Sequence, residues 1–357
     1  MTAWIDACEP KTAVMLRGLA ERLVEEAGQD LLVTARDFDA TCHLLDAWGV
    51  PYHRVGAHGG PTLLGKLRAY AQRLAALVEV VAARDVDFLF CLASPEALRV
   101  SFGLQVPNVV FNDEPRSVGV AKLSFPFADH LVVPECIPPE WFVRLGCPEE
   151  KLHRFHGIDE VAWLKDFEPD PAVPKALGLE PGGYVVARTE AVTAQYLMDR
   201  MKPHETLLVD LLPPLVEAHP ELRFLVMPRT PEQAAALEAR FADEVAGGRV
   251  VLRRRLGDLA HVLYHAALVV TGGGTMVRES ALLGVPSVEF FPLDTYPQEQ
   301  FLADNGFPLV HARALDDAVE ACLSHLSGGH RVDAAPLVCR LESPVDVAWE
   351  VYRERQS

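Results

Sequence analysis

Residues Leu268–Pro286 read LVVTGGGTMVRESALLGVP. Leu268–Val270 is the end of a short buried strand and Gly272, Gly273 and Gly274 follow. Thr275 then opens a helix to about Leu283, stopped by Gly284 and Pro286. A strand that turns through glycines into a helix gathers bare backbone N–H groups and the positive helix end at one point. An anion, usually phosphate, is the guest such a corner takes. Glu279 lies one turn inside the helix. The third residue after Thr275 is Arg278, so no capping box engages Glu279, and it can face the same opening and accept from sugar hydroxyls. The stretch fits equally a plain strand-to-helix turn with a solvated first-turn acid favoured by the helix dipole.

Outward from this corner the chain alternates strand and helix. In the first half, strands are expected at Thr2–Asp6, Leu31–Thr34, Tyr52–Val55, Phe88–Leu92, Asn108–Phe111 and His130–Val133. Helices are expected at Pro10–Glu26, Thr41–Trp48, Thr62–Ala83 and Pro95–Gly103, with a long polar loop between Phe111 and His130. Residues 151–183 break the rhythm, and Pro169, Pro171, Pro174, Pro181, Gly182 and Gly183 mark a linker. The alternation then restarts at Tyr184–Ala187 and runs to a last helix, Pro344–Arg355. Repeated strand–helix units imply parallel sheets covered on both faces. The expected organisation is an α/β chain of two doubly wound, Rossmann-like domains, 1–158 and 159–340, facing a central cleft. A C-terminal helix in 341–357 is expected to pack back on the first domain. Ligands bind such sheets at the carboxyl ends of strands.

A length of 357 residues suits two cores rather than one. The net charge of −17 argues against nucleic acid as a partner, because phosphate backbones need a basic footprint. The chain has no leader pattern and no apolar run long enough to span a bilayer. Its seven cysteines lack CxxC spacing, and several sit in apolar segments, so a reduced cytoplasmic protein is expected. Asp85-Val86-Asp87 matches the metal-binding DxD pattern, but it stands at the amino end of a strand, on the wrong side of the sheet. His261 and His265 share a helix face without a third ligand at diagnostic spacing, so no metal is expected. Ser94 lacks the Gly-x-Ser-x-Gly elbow of a hydrolase, and no GxGxxG follows the first strand.

Several stretches together resemble a known family of predicted glycosyltransferases, number 354 among the domains of unknown function. They are WIDACEPK, LLVTARDFD, ASPEALRVSFGLQVPNVVFNDEP, LSFPFADHLVVP, FHGIDE and TGGGTMVRESALLGVPSVEF. The resemblance covers nearly the whole chain and implies the GT-B fold, shared by nucleotide-sugar glycosyltransferases and UDP-N-acetylglucosamine 2-epimerases. It implies a nucleotide-sugar site in the second half. Gly272, Gly273, Gly274 and Thr275 would hold phosphate, Glu279 the ribose hydroxyls, and Asp294 and Gln298 the donor sugar. Arg188 and Arg229 are fork donors suited to diphosphate oxygens, though each also fits a surface ion pair. Arg253-Arg254-Arg255 fits a solvated patch or a position near the base.

The first half should supply the acceptor and a base. Asp6 and Asp113 lie at neighbouring strand ends and can converge on one hydroxyl, and His58 sits in a glycine loop where it can titrate near neutrality. The expected activity is a metal-independent glycosyltransferase moving sugar from a UDP-sugar to a glycan or lipid-linked acceptor, with no cofactor beyond the donor. A UDP-N-acetylglucosamine 2-epimerase is the alternative within the fold. Those enzymes carry Thr-Glu-Arg-Pro-Glu where this chain has Thr295-Tyr296-Pro297-Gln298-Glu299, without the arginine. A non-catalytic nucleotide-sugar binder is the alternative of another class. Thr62–Ala83 mixes Leu63, Leu64, Leu67 and Leu74 with Lys66, Arg68 and Arg73. That mixture fits packing on a sheet and also peripheral contact with a membrane.

Overall fold

The computed structural model describes residues 2–60, 62–190, 192, 201–202, 204–292 and 294–356. They form two units, Met1–Lys165 with Leu341–Ser357, and Asp166–Arg340. The first holds a seven-stranded parallel sheet made of β1 (Thr2–Ala7), β2 (Asp30–Asp37), β3 (His53–Ala57), β4 (Val86–Leu92), β5 (Asn108–Phe111), β6 (His130–Pro134) and β7 (Leu152–Phe155), in the order β3-β2-β1-β4-β5-β6-β7. The second holds a six-stranded parallel sheet of β8 (Tyr184–Arg188), β9 (Arg223–Met227), β10 (Val250–Leu252), β11 (Leu268–Thr271), β12 (Ser287–Phe290) and β13 (Leu309–Ala312), in the order β10-β9-β8-β11-β12-β13. In each, the first strand of the unit lies inside the sheet. The order therefore reverses at β1/β4 and again at β8/β11, which are the switch points where doubly wound sheets bind ligands.

The strands are apolar on both sides because helices cover both faces. In the first unit Trp4, Leu89, Cys91 and Val110 pack with Leu77, Leu98, Phe125 and Phe142 on one face. The period-two neighbours Ala3, Ile5, Phe88, Phe90 and Phe111 pack with Leu19, Leu23, Trp349 and Tyr352 on the other. The C-terminal helix Pro344–Gln356 thus lies on the first unit's sheet. Tyr352 meets Phe88 edge-on at 5.4 Å, and Arg22 covers the Trp349 ring at 4.6 Å.

Four local readings change. Pro10–Glu26 is two helices, Pro10–Met15 and Arg17–Glu25, because Leu16 leaves helical geometry at ψ 0°. The expected loop before β6 contains the helix Val118–Ser124 and a tight turn at Phe125–Phe127, which buries Phe125. The start of the supposed linker is β7, an edge strand whose LHRF sequence buries only Phe155 fully and so hides its period. The boundary between units accordingly falls after Lys165, since Ile158, Val161 and Leu164 are buried in the first unit. The seven cysteines are all unpaired, five of them buried.

Trp349→Ala should destabilise the first unit by about 3–5 kcal/mol, the usual loss for a buried tryptophan. Denaturant unfolding of the two proteins measures it; a change below ~1 kcal/mol would show that the C-terminal helix does not complete that core.

Candidate functional site

The second unit's switch point is built by the glycine turn. Arg188, the last residue of β8, lies in register with Thr271, the last of β11. Gly272 N–H then donates to the Arg188 carbonyl at 3.4 Å, and Gly273 N–H to Thr271 Oγ1 at 3.0 Å. The three glycines answer different demands. A Cβ on Gly272 would stand 2.6 Å from Glu190 Cγ, and one on Gly273 would stand 2.6 Å from Glu289 Oε1. Gly273 and Gly274 also hold φ of 94° and 91°, which other residues rarely adopt.

Gly274 caps the helix Thr275–Leu282 by backbone position alone, with no side-chain cap. With the N–H groups of Gly272 and Gly273 used inside the turn, the donors at the helix start are those of Gly274, Thr275 and Met276. Glu279, partly exposed, lies one turn on from Thr275. This corner can receive an anion through neutral, oriented donors, with a guanidinium on the neighbouring strand end.

Arg229 has a different place from the one expected of it. It is exposed, its Nε donates to the Thr189 carbonyl at 3.0 Å, and its N–H to Thr189 Oγ1 at 3.0 Å. It braces the segment after β8. Gln233, fully buried, finishes that brace: its Nε2 donates to the carbonyls of Glu190 and Glu205, and its Oε1 accepts from Thr189. Asp294 is corrected too. Its carboxylate is 91% exposed and ion-paired with Arg313, so solvent and an arginine already satisfy it. The loop reaches the glycine turn through Thr295 instead, which donates to Glu289 at 3.0 Å. Gln298 is buried near the start of the helix Pro297–Asp304, beside Glu299, which faces Arg278 at 3.9 Å. Arg253, Arg254 and Arg255 are exposed.

In the first unit the structure removes Asp6 from the candidate bases. Asp6 is fully buried; Oδ1 accepts from Thr34 and from Arg73 Nη2, Oδ2 from Ser94, all at 2.6 Å. Arg73, read as part of an amphipathic face, is itself buried and also donates to the Val55 carbonyl at 3.0 Å. An ion pair so fully bonded at both ends is a strut between β1 and the helix Leu63–Ala82. His58 is exposed, stacked on Phe38 at 4.7 Å, and its Nδ1 accepts from Gly60 N–H at 3.2 Å. Partial burial, Arg36 and Lys66 hold its pKa below the usual histidine value.

Asp113 does converge with a second acid, but that acid is Asp159. Lys11 Nζ lies 2.5 Å from Asp113 and 2.9 Å from Asp159, at the carboxyl ends of β1, β5 and β7. Burial pushes Asp159 up to about 7, with Asp113 and Glu160 adding to the rise and Lys11 opposing it. Burial also raises nearby Glu9, against the pull of Lys11. Burial beside other acids, only partly offset by Lys11, leaves the Asp159 carboxyl poised to exchange a proton near neutral pH. Among the described residues no group of three His, Cys, Asp or Glu side chains could hold a metal ion, and no helix is long and apolar enough to cross a membrane.

Two doubly wound parallel sheets, each with its own switch point, place the chain in the GT-B class of α/β folds. The chain belongs to the protein family of unknown function DUF354, whose model matches residues 1–355. An uncharacterized protein of Methanocaldococcus jannaschii is 25% identical over 358 residues, covering 98% of this chain and 97% of the relative. Among solved structures, the fold is similar to Anabaena HepE in complex with UDP and glucose, with TM-score 0.64 and 18% identity over 100% of this chain and 99% of that one. It is similar also to UDP-GlcNAc 2-epimerase from Neisseria meningitidis bound to UDP-GlcNAc, with TM-score 0.71 and 12% identity over 99% and 100% of the two chains. A third is the UDP-GlcNAc 2-epimerase of M. jannaschii, with TM-score 0.66 and 13% identity over 97% and 96%. At these identities the likeness is one of fold.

Two outcomes test the acidic groups. Asp6→Asn should destabilise by about 3–5 kcal/mol by removing the carboxylate bonded to buried Arg73, which leaves it only the more distant Glu96 at 3.6 Å; a loss below ~1 kcal/mol in urea unfolding would return Asp6 to the list of functional acids. For Asp159, the unfolded chain ionises in the ordinary carboxylate range and the folded chain only near 7. Between those values the fold retains a proton that the unfolded chain has released, so stability falls as pH rises through that window. Asp159→Asn lacks that slope, and its stability relative to the parent should climb from about pH 4 to about pH 7 and then level. Parallel pH profiles for the two proteins would contradict the raised value.

Proposed function

We propose that the protein is a metal-independent glycosyltransferase that uses a UDP-sugar donor. The observation that carries this reading is the helix start at Gly274–Met276, uncapped by any side chain, beside Arg188 at the β8/β11 switch point. Oriented N–H groups and a guanidinium can meet the charge growing on a leaving diphosphate without a metal ion. Glu279, one helical turn away, would accept from ribose hydroxyls. In the first unit Asp113 and Asp159, about Lys11, would take the proton of the attacking acceptor hydroxyl, and a group titrating near neutrality suits that task. Similar structures hold UDP or a UDP-sugar, HepE among them, which supports this choice of nucleotide. The acceptor is a glycan or a lipid-linked sugar. Leu63, Leu64 and Leu67, exposed beside Lys66 and Arg68, are where a lipid-linked acceptor would bring the protein against a bilayer.

A thermal-shift series with nucleotides and UDP-sugars tests the reading. UDP at a hundred times its dissociation constant should stabilise the protein by about 2.7 kcal/mol, and Glu279→Ala should lose most of that shift. No response to any uridine nucleotide, or a response untouched by Glu279→Ala, would overturn it. With donor and acceptor supplied, Asp159→Asn should lower kcat by about 10²–10⁴-fold. Appearance of an epimer from UDP-N-acetylglucosamine alone would assign the same nucleotide site to epimerisation instead.

A further inference from the structure

Across the second sheet, the carboxyl ends of four neighbouring strands carry a polar row in register: Arg188 on β8, Thr271 on β11, Glu289 on β12 and His311 on β13. Glu289 is the unexpected member. It is fully buried in the strand SVEF, where an ionisable side chain persists only if its oxygens are bonded. One of them is: Oε2 accepts from Thr295 Oγ1 at 3.0 Å and meets His311 Nδ1 at 2.7 Å. Oε1 is buried with no hydrogen-bond partner. Its direction is fixed by Gly273, since a Cβ there would stand 2.6 Å from it. The unfilled acceptor thus lies buried against the glycine turn. Glu190 repeats the arrangement at the next residue: it is buried, Oε1 accepts from Leu207 N–H at 3.2 Å, Oε2 has no partner, and it crowds Gly272.

Phosphate oxygens and carboxylate oxygens are both acceptors, so a carboxylate at this corner cannot bind phosphate and repels it. A hydroxyl donates to it. We propose that Glu289, held by His311 and Thr295, is the specificity residue of the donor site, taking a hydroxyl of the hexose and rejecting a third phosphate. The ligand class it selects is a nucleoside diphosphate ending in a neutral polyol, against a nucleoside triphosphate. Gly273, lacking a Cβ, lets the carboxylate pack against the turn where the polyol would meet it. This rests on the UDP-sugar reading of the same turn.

Isothermal titration of the full chain with UDP, UTP, UDP-glucose and UDP-N-acetylglucosamine tests it. The parent should bind at least one UDP-sugar no more weakly than UDP, and UTP about tenfold more weakly than UDP, the usual scale for one hydrogen bond to a charged group. Glu289→Gln should bring UTP to within about twofold of UDP and weaken the preferred UDP-sugar about tenfold, with UDP itself unchanged. Thr295→Val, which loosens the carboxylate without removing it, should move both ratios the same way by a smaller factor, and it serves if Glu289→Gln does not fold. If UDP binds and neither variant changes the UTP/UDP or UDP-sugar/UDP ratio, Glu289 is a structural acid and the proposal fails alone. If UDP does not bind the parent, the reading beneath it has failed and takes the proposal with it.

Discussion

The organising constraint is that each sheet begins in its own middle. Because β1 lies between β2 and β4, and β8 between β9 and β11, the connections leaving those strands go to opposite sides. Right-handed crossovers then leave no chain over the strand ends at the reversal. Polar groups collect on the carboxyl side of each sheet: buried Asp6, Asp113 and Asp159 at or after the ends of β1, β5 and β7, and Arg188, Thr271 and Glu289 near the ends of β8, β11 and β12. The glycine turn follows from the same constraint. The chain must leave β11 close against Glu190 and re-enter a helix at once, and only residues without a Cβ fit that space.

Charge compensation then separates scaffold from chemistry among these acids. Asp6 has one guanidinium and two hydroxyls for its two oxygens, so its ionised form is fully solvated by protein. Asp113 and Asp159 both face Lys11, and burial, with Asp113 and Glu160 adding to it, raises the pKa of Asp159 against that ammonium. The two kinds of site lie on the same sheet. What divides them is the count of donors, which decides whether a proton has anywhere to go.

The glycine corner, the alternation and the two-unit plan were legible because each leaves a periodic or local trace. Glycine at positive φ is a local demand, and helix Thr275–Leu282 follows it at once. The charge partners were not legible. An aspartate ending a strand looks the same in sequence whether or not an arginine 67 residues away reaches it, and Arg73 looked like one cation on a mixed face. Asp159 stands in FHGIDE, but the strand before it, LHRF, is too polar to announce itself, so in sequence the acid after it reads as linker. Glu190 and Glu289 are single acidic letters beside or within apolar strands. Only the three-dimensional neighbour, a missing Cβ at Gly272 or Gly273, reveals which way they face.

A net charge of −17 is compatible with the proposed anion site beside two buried carboxylates once range is considered. The long-range field of surface charge is screened beyond about 8 Å at physiological salt. Within that distance the helix start acts through fixed dipoles, which need no counter-charge and keep their direction when an acid stands nearby. Glu190 and Glu289 approach Gly272 and Gly273, whose N–H groups are already bonded inside the turn, while the donors at Gly274, Thr275 and Met276 lie at the helix end. Donors and acceptors are thus sorted along one short stretch of backbone. On the proposed reading, a ligand matched to that order is anionic at one end and rich in hydroxyls at the other.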